Sequence, residues 1–259
     1  SMKVRMNTTG HAVDETIETG GAPILIRFTQ TEGHIQVVEI SGELGVYDFF
    51  FLSGNFALLK GTTTVALNDG TTTGLKVDLI TLGGSNVTAF AGVNGPYWTD
   101  LNHNGLIDGE DTNGNDVIDA DESDELNDDS LGFSLINASF AIAIMKVPVP
   151  VSTEPNVPPP QPTDLRTWTG LKATAESVEF VGVEGMIVSA QDLYVAINQC
   201  GGGIKTNPTD PDFTTVNTTV VDFKAAPLKV NTGGGNSINL DFAGADGKLL
   251  QAAGHLTIG

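Results

Sequence analysis

Gly170 to Gly182 read GLKATAESVEFVG. Leu171, Ala173 and Ala175 alternate with Lys172, Thr174 and Glu176, and Val178 and Phe180 follow as a second alternating pair. A period of two places one set of side chains on one face of an extended chain, which is the pattern of a β-strand and not of a helix. Outward from this stretch the same rhythm recurs. Met186, Val188 and Ala190 follow, then Leu193, Val195 and Ile197 in DLYVAIN. Upstream stand ILIRF, HIQVVEI, NFALLKG, TTTVALN, LKVDLITL, NVTAFAG and LINASFAIAIMK. In all, about sixteen runs of roughly five to seven residues are separated by glycine, NDG, GGS or SGN turn signals. The best helical candidate is a turn around Asp246 to Ala252, a weak one. The expected class is all-β.

Composition agrees. The 259 residues include 31 Gly and 12 Pro without a collagen period, which suits many turns. Twelve Lys and Arg face 32 Asp and Glu, a net charge of −20. That field repels a nucleic acid or an anionic bilayer, so no nucleic-acid partner is expected. No apolar run reaches the roughly 18 residues of a spanning helix, and direct membrane insertion is not expected. Residues 100–129 hold 12 of the acidic residues and no Lys or Arg.

Two segments break the strand rhythm. Residues 147–163 begin VPVPVSTEPNVPPPQP and carry seven prolines. Proline cannot donate to a ladder, so this reads as an extended connector. CGGGIKTNPTDPDFTTVN, from Cys200 to Asn217, is a polar loop whose cysteine has no basic neighbour in sequence to activate it.

The two ends of the chain echo one another. TGGAPILIRFTQTEGHIQVVEISGELGV (19–46) stands against TGGGNSINLDFAGADGKLLQAAGHLTIG (232–259). Thr19, Gly20, Ile24, Phe28, Gly33, Gly42 and Leu44 match Thr232, Gly233, Ile238, Phe242, Gly247, Gly254 and Leu256, with a one-residue slip near the glycines and a two-residue gap after Gly33. Residues 1–259 are therefore expected to be a single all-β repeat unit, with 232–259 the start of the next repeat. Short recurrences such as SGELGV, SGNFAL and AGHLTI favour an elongated β-solenoid or wrapped sheet, with a β-sandwich as the alternative.

One constellation carries specific chemistry: WTDLNHNGLIDGEDTNGNDVIDADESDE, within an inserted acidic segment at 98–129. A hard divalent cation needs six to eight converging oxygens, and a twelve-residue loop supplies them from positions 1, 3, 5, 7, 9 and 12. Counting from Asp100 gives Asn102, Asn104, the carbonyl of Leu106, Asp108 and Asp111, with Gly105 at the sharp turn. Counting from Asp111 gives Asn113, Asn115, the carbonyl of Val117, Asp119 and Glu122. Asp111 closes one frame and opens the next. Asp116 replaces the turn glycine of the second frame, and Asp111 replaces the bidentate Glu of the first. The expected cofactor is Ca2+.

This segment resembles the calcium loops of dockerin and thrombospondin type-3 repeats. Across much of its length the chain resembles units of giant tandem-repeat bacterial secreted or surface proteins of the adhesin-like kind. That likeness rests on SGNFALLKGTTTVAL, VDLITLGGSNVTAFAGVNG, TGLKATAESVEFVGVEG and VVDFKAAPLKV. It implies an extracellular or cell-surface location and a structural or adhesive role. The implied partners are neighbouring repeats of the same chain and a surface glycan or protein ligand.

Catalytic signatures are missing from the sequence. His11, His34, His103 and His255 are scattered, and no HExxH, GxSxG or GxxxxGK[ST] pattern occurs. The triple glycines at Gly201 and Gly233 lack a following helix and lysine and read as turns. Trp98 and Trp168 read as core residues. No enzyme is expected, the rival readings being a carbohydrate-binding module and a β-helical polysaccharide-active enzyme.

Overall fold

The computed structural model describes residues 1–47, 49–99, 125–152 and 157–259. Its regular elements are strands and two short 3-10 turns, so the chain is all-β. The first strands are β1 (Met2–Asn7), β2 (Val13–Ile17), β3 (Ile24–Phe28), β4 (Ile35–Val46), β5 (Phe50–Val65) and β6 (Leu75–Val93). Then come β7 (Trp98–Thr99), β8 (Glu125–Leu126), β9 (Leu131–Lys146), β10 (Thr167–Val181) and β11 (Val188–Gly201). The last are β12 (Gly203–Ile204), β13 (Thr215–Val216), β14 (Leu228–Gly233), β15 (Asn236–Leu240) and β16 (Leu249–Ile258).

Eight strands form one antiparallel sheet in the order β1-β4-β5-β6-β9-β10-β11-β16. The pairs β2–β3, β7–β8, β12–β13 and β14–β15 form small sheets of their own. This corrects the solenoid expectation: solenoid coils stack parallel strands, whereas here neighbours in the sheet run antiparallel and the sheet does not close. The arrangement is consistent with the sandwich alternative.

The strands are longer than the sequence rhythm suggests, because several turn signals are not turns. β6 has 19 residues and passes through Gly83-Gly84-Ser85, where its register against β9 shifts. A Cβ on Gly83 would run into the Asn231 carbonyl of β14. The glycine therefore marks a close approach of backbones inside a strand. The helical expectation over Asp246 to Ala252 is also corrected. A 3-10 turn at Gly244–Asp246 leads straight into β16, whose pairing with β11 outweighs weak local helix preference.

One face of the main sheet is covered by the β14–β15 hairpin and by the chain around Val220 to Phe223. The sheet contributes Val77, Ala141, Ala143, Met145, Trp168 and Ala196, and the cover contributes Val221, Phe223, Val230, Leu240 and Phe242. Fully burying one such large apolar side chain stabilises by about 1.5–3 kcal/mol. Polar ties fix the cover in register: Trp168 Nε1 donates to the Thr219 carbonyl at 2.8 Å and Asn198 Nδ2 to the Val221 carbonyl at 2.8 Å. Asn68, in the β5–β6 turn, donates from Nδ2 to the Gly244 carbonyl at 3.1 Å and accepts at Oδ1 from Val220 N at 3.0 Å.

The opposite face carries an unbroken apolar row. The cross-strand register aligns Val38, Leu58, Leu82, Ile142, Leu171 and Ile197, one from each of β4, β5, β6, β9, β10 and β11. Val4 of β1 and Leu250 of β16 extend it to both edges. The core-side row next to it runs Glu39, Ala57, Gly83, Ala141, Lys172 and Ala196, and its middle is small, with Ala57, Gly83 and Ala141 buried. Alternation thus put Leu171 and Ala173 on one face as expected, and that face is the outer one.

The proline-rich connector links β9 to β10, which are neighbours in the sheet with Lys146 opposite Thr167. Residues 153–156 of it lie outside the described residues.

Candidate metal centre and its neck

All eleven expected ligands, from Asp100 to Glu122, lie outside the described residues, as does His103. What is described is the place where their segment leaves and rejoins the fold. β7 and β8 pair antiparallel, Trp98 opposite Leu126 and Thr99 opposite Glu125. This two-stranded neck brings both ends of the intervening segment to neighbouring positions. The two twelve-residue frames, sharing Asp111, run from 100 to 122 and fit within the stretch 100–124 that the neck encloses. Carboxylates, amide carbonyls and backbone carbonyls make an all-oxygen donor set, the chemistry of a hard cation such as Ca2+. The residues present therefore fit the expected ion.

The neck is anchored to the sheet by packing and by hydrogen bonds. Trp98, 6% exposed, packs with Phe90 and Val181, and Phe51 and Tyr97 flank them. Asn127 N donates to the Tyr97 carbonyl at 2.8 Å. Its side-chain Nδ2 donates to the Asn94 carbonyl at 2.8 Å and the Pro96 carbonyl at 3.2 Å. The Ser130 hydroxyl reaches the same two carbonyls, at 2.8 and 3.1 Å. Asn94 Nδ2 donates back to the Asp129 carbonyl at 3.1 Å. Each of these satisfies a loop backbone group that would otherwise need water.

Burial pushes the Tyr97 phenol above its ordinary 10.0, and the negative charges of Glu179 and Asp128 push in the same direction. The phenol therefore stays neutral at physiological pH, and the neck faces a negative field. A cleft of about 280 Å³ lies beside it, lined by Tyr97, Asp128, Glu179 and Met186 among others.

Asn94, Asn127 and Ser130 escaped the sequence reading. Their signal was present as NGP at 94–96 and NDDS at 127–130, turn-forming sets on either side of the acidic segment. Trp168 is 1% exposed and, like Trp98, belongs to the core. Gly233, Gly234 and Gly235, all with positive φ, turn the β14–β15 hairpin. Cys200 is half-buried, with Sγ 3.4 Å from the Asn217 carbonyl. His255 lies at the surface, 3.5 Å from Asp192. Among the described residues no three His, Cys, Asp or Glu side chains converge as a metal site. The other feature not anticipated is the outer apolar face, bordered by a cleft of about 500 Å³ with His34, Lys60, Asp78, Ile80, Ile144 and Lys146 in its lining.

No family model, curated protein or solved structure matches the chain.

Proposed function

We propose that the chain is a calcium-stabilised structural or adhesive repeat module of a large bacterial extracellular protein. The observation that carries this reading is the neck: a buried tryptophan and a set of Asn and Ser hydrogen bonds hold together the ends of a segment sized for two abutting calcium frames. The twelve acidic residues of 100–129 repel one another without a cation, so the ion relieves a strain that the sequence itself creates. Calcium outside cells is near millimolar, within the affinity range of extracellular modules at about 10⁻⁴–10⁻³ M. At millimolar calcium and a Kd near 10⁻⁴ M the excess is about tenfold, and binding to the native state alone adds about 1.4 kcal/mol per site.

Isothermal titration with calcium tests this directly, with heat expected at millimolar ion and a melting temperature that rises with calcium and falls with chelator. Asp111→Ala should weaken both sites, since Asp111 belongs to both frames, whereas Asp100→Ala should spare the second. No heat at millimolar calcium sinks the reading. Equal damage from the two substitutions removes the shared-ligand arrangement.

A further inference from the structure

The two segments that echo each other in sequence build the same succession of elements. β2–β3 is a hairpin followed by a 3-10 turn at Gln30–Glu32 and by the long strand β4; β14–β15 is a hairpin followed by a 3-10 turn at Gly244–Asp246 and by the long strand β16. Phe28 and Phe242, Gly33 and Gly247, and Ile35 and Leu249 are all separated by the same distance along the chain.

The neighbours of these strands correspond as well. On β4, Asn7 of β1 stands opposite Ile35; on β16, Asn198 of β11 stands opposite Leu249. β1 therefore holds on β4 the position that β11 holds on β16. Its sequence MKVRMN aligns with LYVAIN at 193–198, and Asn7 and Asn198 are both buried. From β4 to β11 the sheet has six antiparallel strands, an even number, so β16 runs in the same direction as β4.

The hairpins differ in what lies beneath them. β14–β15 rests on β5, β6, β9 and β10, and Val230 and Leu240 are 0% exposed. In β2–β3 the residue paired like Val230 is Ile17, 47% exposed, and its partner Ile24 is 54% exposed.

We propose that successive copies of this chain, arranged in tandem, join edge to edge into one continuous sheet with a period of six strands. β16 of one copy is the β4 of the next, and β1 stands where the preceding copy's β11 belongs. The hairpin β2–β3 then lies on the preceding copy's sheet as β14–β15 lies on this one, which covers Ile17 and Ile24. This rests on the repeat reading above and specifies its junction.

The test is a tandem chain in which residues 1–247 are followed directly by residues 34–259, with Cys200→Ser in both copies. Val195→Cys is introduced in the first copy and Val38→Cys in the second, because Val38 corresponds to Ala252, the partner of Val195. The expected result is a disulfide in most molecules on air oxidation, little with Val37→Cys in place of Val38→Cys, and a melting temperature above that of the single chain. Cross-linking that is equal at 37 and 38, or absent from both, overturns the junction even if melting rises. A tandem chain that fails to fold while the single chain folds overturns it too, since the splice assumes that β4 and β16 are equivalent. Two transitions at the single-chain temperature without cross-linking remove the tandem reading as well, whereas calcium binding by the acidic segment is measured separately and stands or falls alone.

Discussion

The hairpins β2–β3 and β14–β15 have the same order of elements and opposite surroundings. Both turn through glycine, both pair β-branched and apolar residues, and both lead through a 3-10 turn into a long strand. The first carries charged contacts at its surface: Arg5 lies 5.1 Å from the centre of the Phe28 ring and 3.1 Å from Glu32, and within the hairpin Arg27 pairs with Asp14 at 2.9 Å. The second is held by the core, by Glu39 accepting from Asn231 Nδ2 at 2.7 Å and by Lys172 on Asp241 at 3.1 Å. Local sequence decides the hairpin, and the sheet beneath decides what that hairpin contributes to stability.

Substitutions at corresponding positions measure that difference. Leu240→Ala removes a fully buried side chain and should cost about 2–5 kcal/mol in urea unfolding. A loss under about 1 kcal/mol would mean that the hairpin does not sit on the sheet as described. Gly83→Ala sets a methyl group against the Asn231 carbonyl and should cost about 1–3 kcal/mol, read as a lower urea midpoint with an unchanged slope. Asn68→Ala leaves Val220 N and the Gly244 carbonyl without their partner, at a cost of about 1–3 kcal/mol. Hydrogen exchange should then speed up around 240–246 and not around 24–32. Ile17→Ala, at the exposed counterpart of Val230, should change stability by no more than about 0.5 kcal/mol in the single chain. A loss comparable to that of Leu240→Ala would erase the distinction between the two hairpins.

Acid should separate them further. The Thr29 backbone N–H, and beyond it the Thr29 hydroxyl and Arg5, hold the Glu32 carboxyl below its ordinary 4.5. Its folded value is depressed, so the stability it contributes is present above the unfolded value and lost as pH falls through the folded one. Amide spectra recorded from pH 5 downwards should show the 29–33 turn loosening below about 4.5, while Glu32→Gln should flatten that dependence.

The sequence disclosed the alternation and hence the all-β class, whereas the acidic frames it offers lie outside the described residues. It did not disclose which face of the strands is inside. Leu171, Ala173, Val195 and Ile197 announce a buried face by their period, yet the cover lies against Gly170, Ala196 and Asn198 on the other side. Period-two alternation carries no sign; long-range contacts supply one, β14 against Gly83 and the 219–223 segment against Trp168 and Asn198. Turn glycines and close-approach glycines read alike for the same reason. Both report a missing side chain, and the group that needs the space beside Gly83 is Asn231, in the last part of the chain. The neck was hidden differently, because Asn94, Asn127 and Ser130 act on carbonyls brought near only by the β6–β9 pairing.

β1 and β16 occupy opposite edges of the main sheet, and this fixes how the molecule responds to tension. A pull applied through the two edge strands acts across the strands, so it peels hydrogen bonds a few at a time instead of shearing a whole strand at once. Each freed residue releases up to roughly 3.3–3.6 Å of length. From the C-terminal edge, β16 detaches first and its removal loads β15, which lifts the hairpin off Trp168 and Phe223 before the strands under it are drawn out. The core opens from the middle, and the sheet gives up its chain at low force.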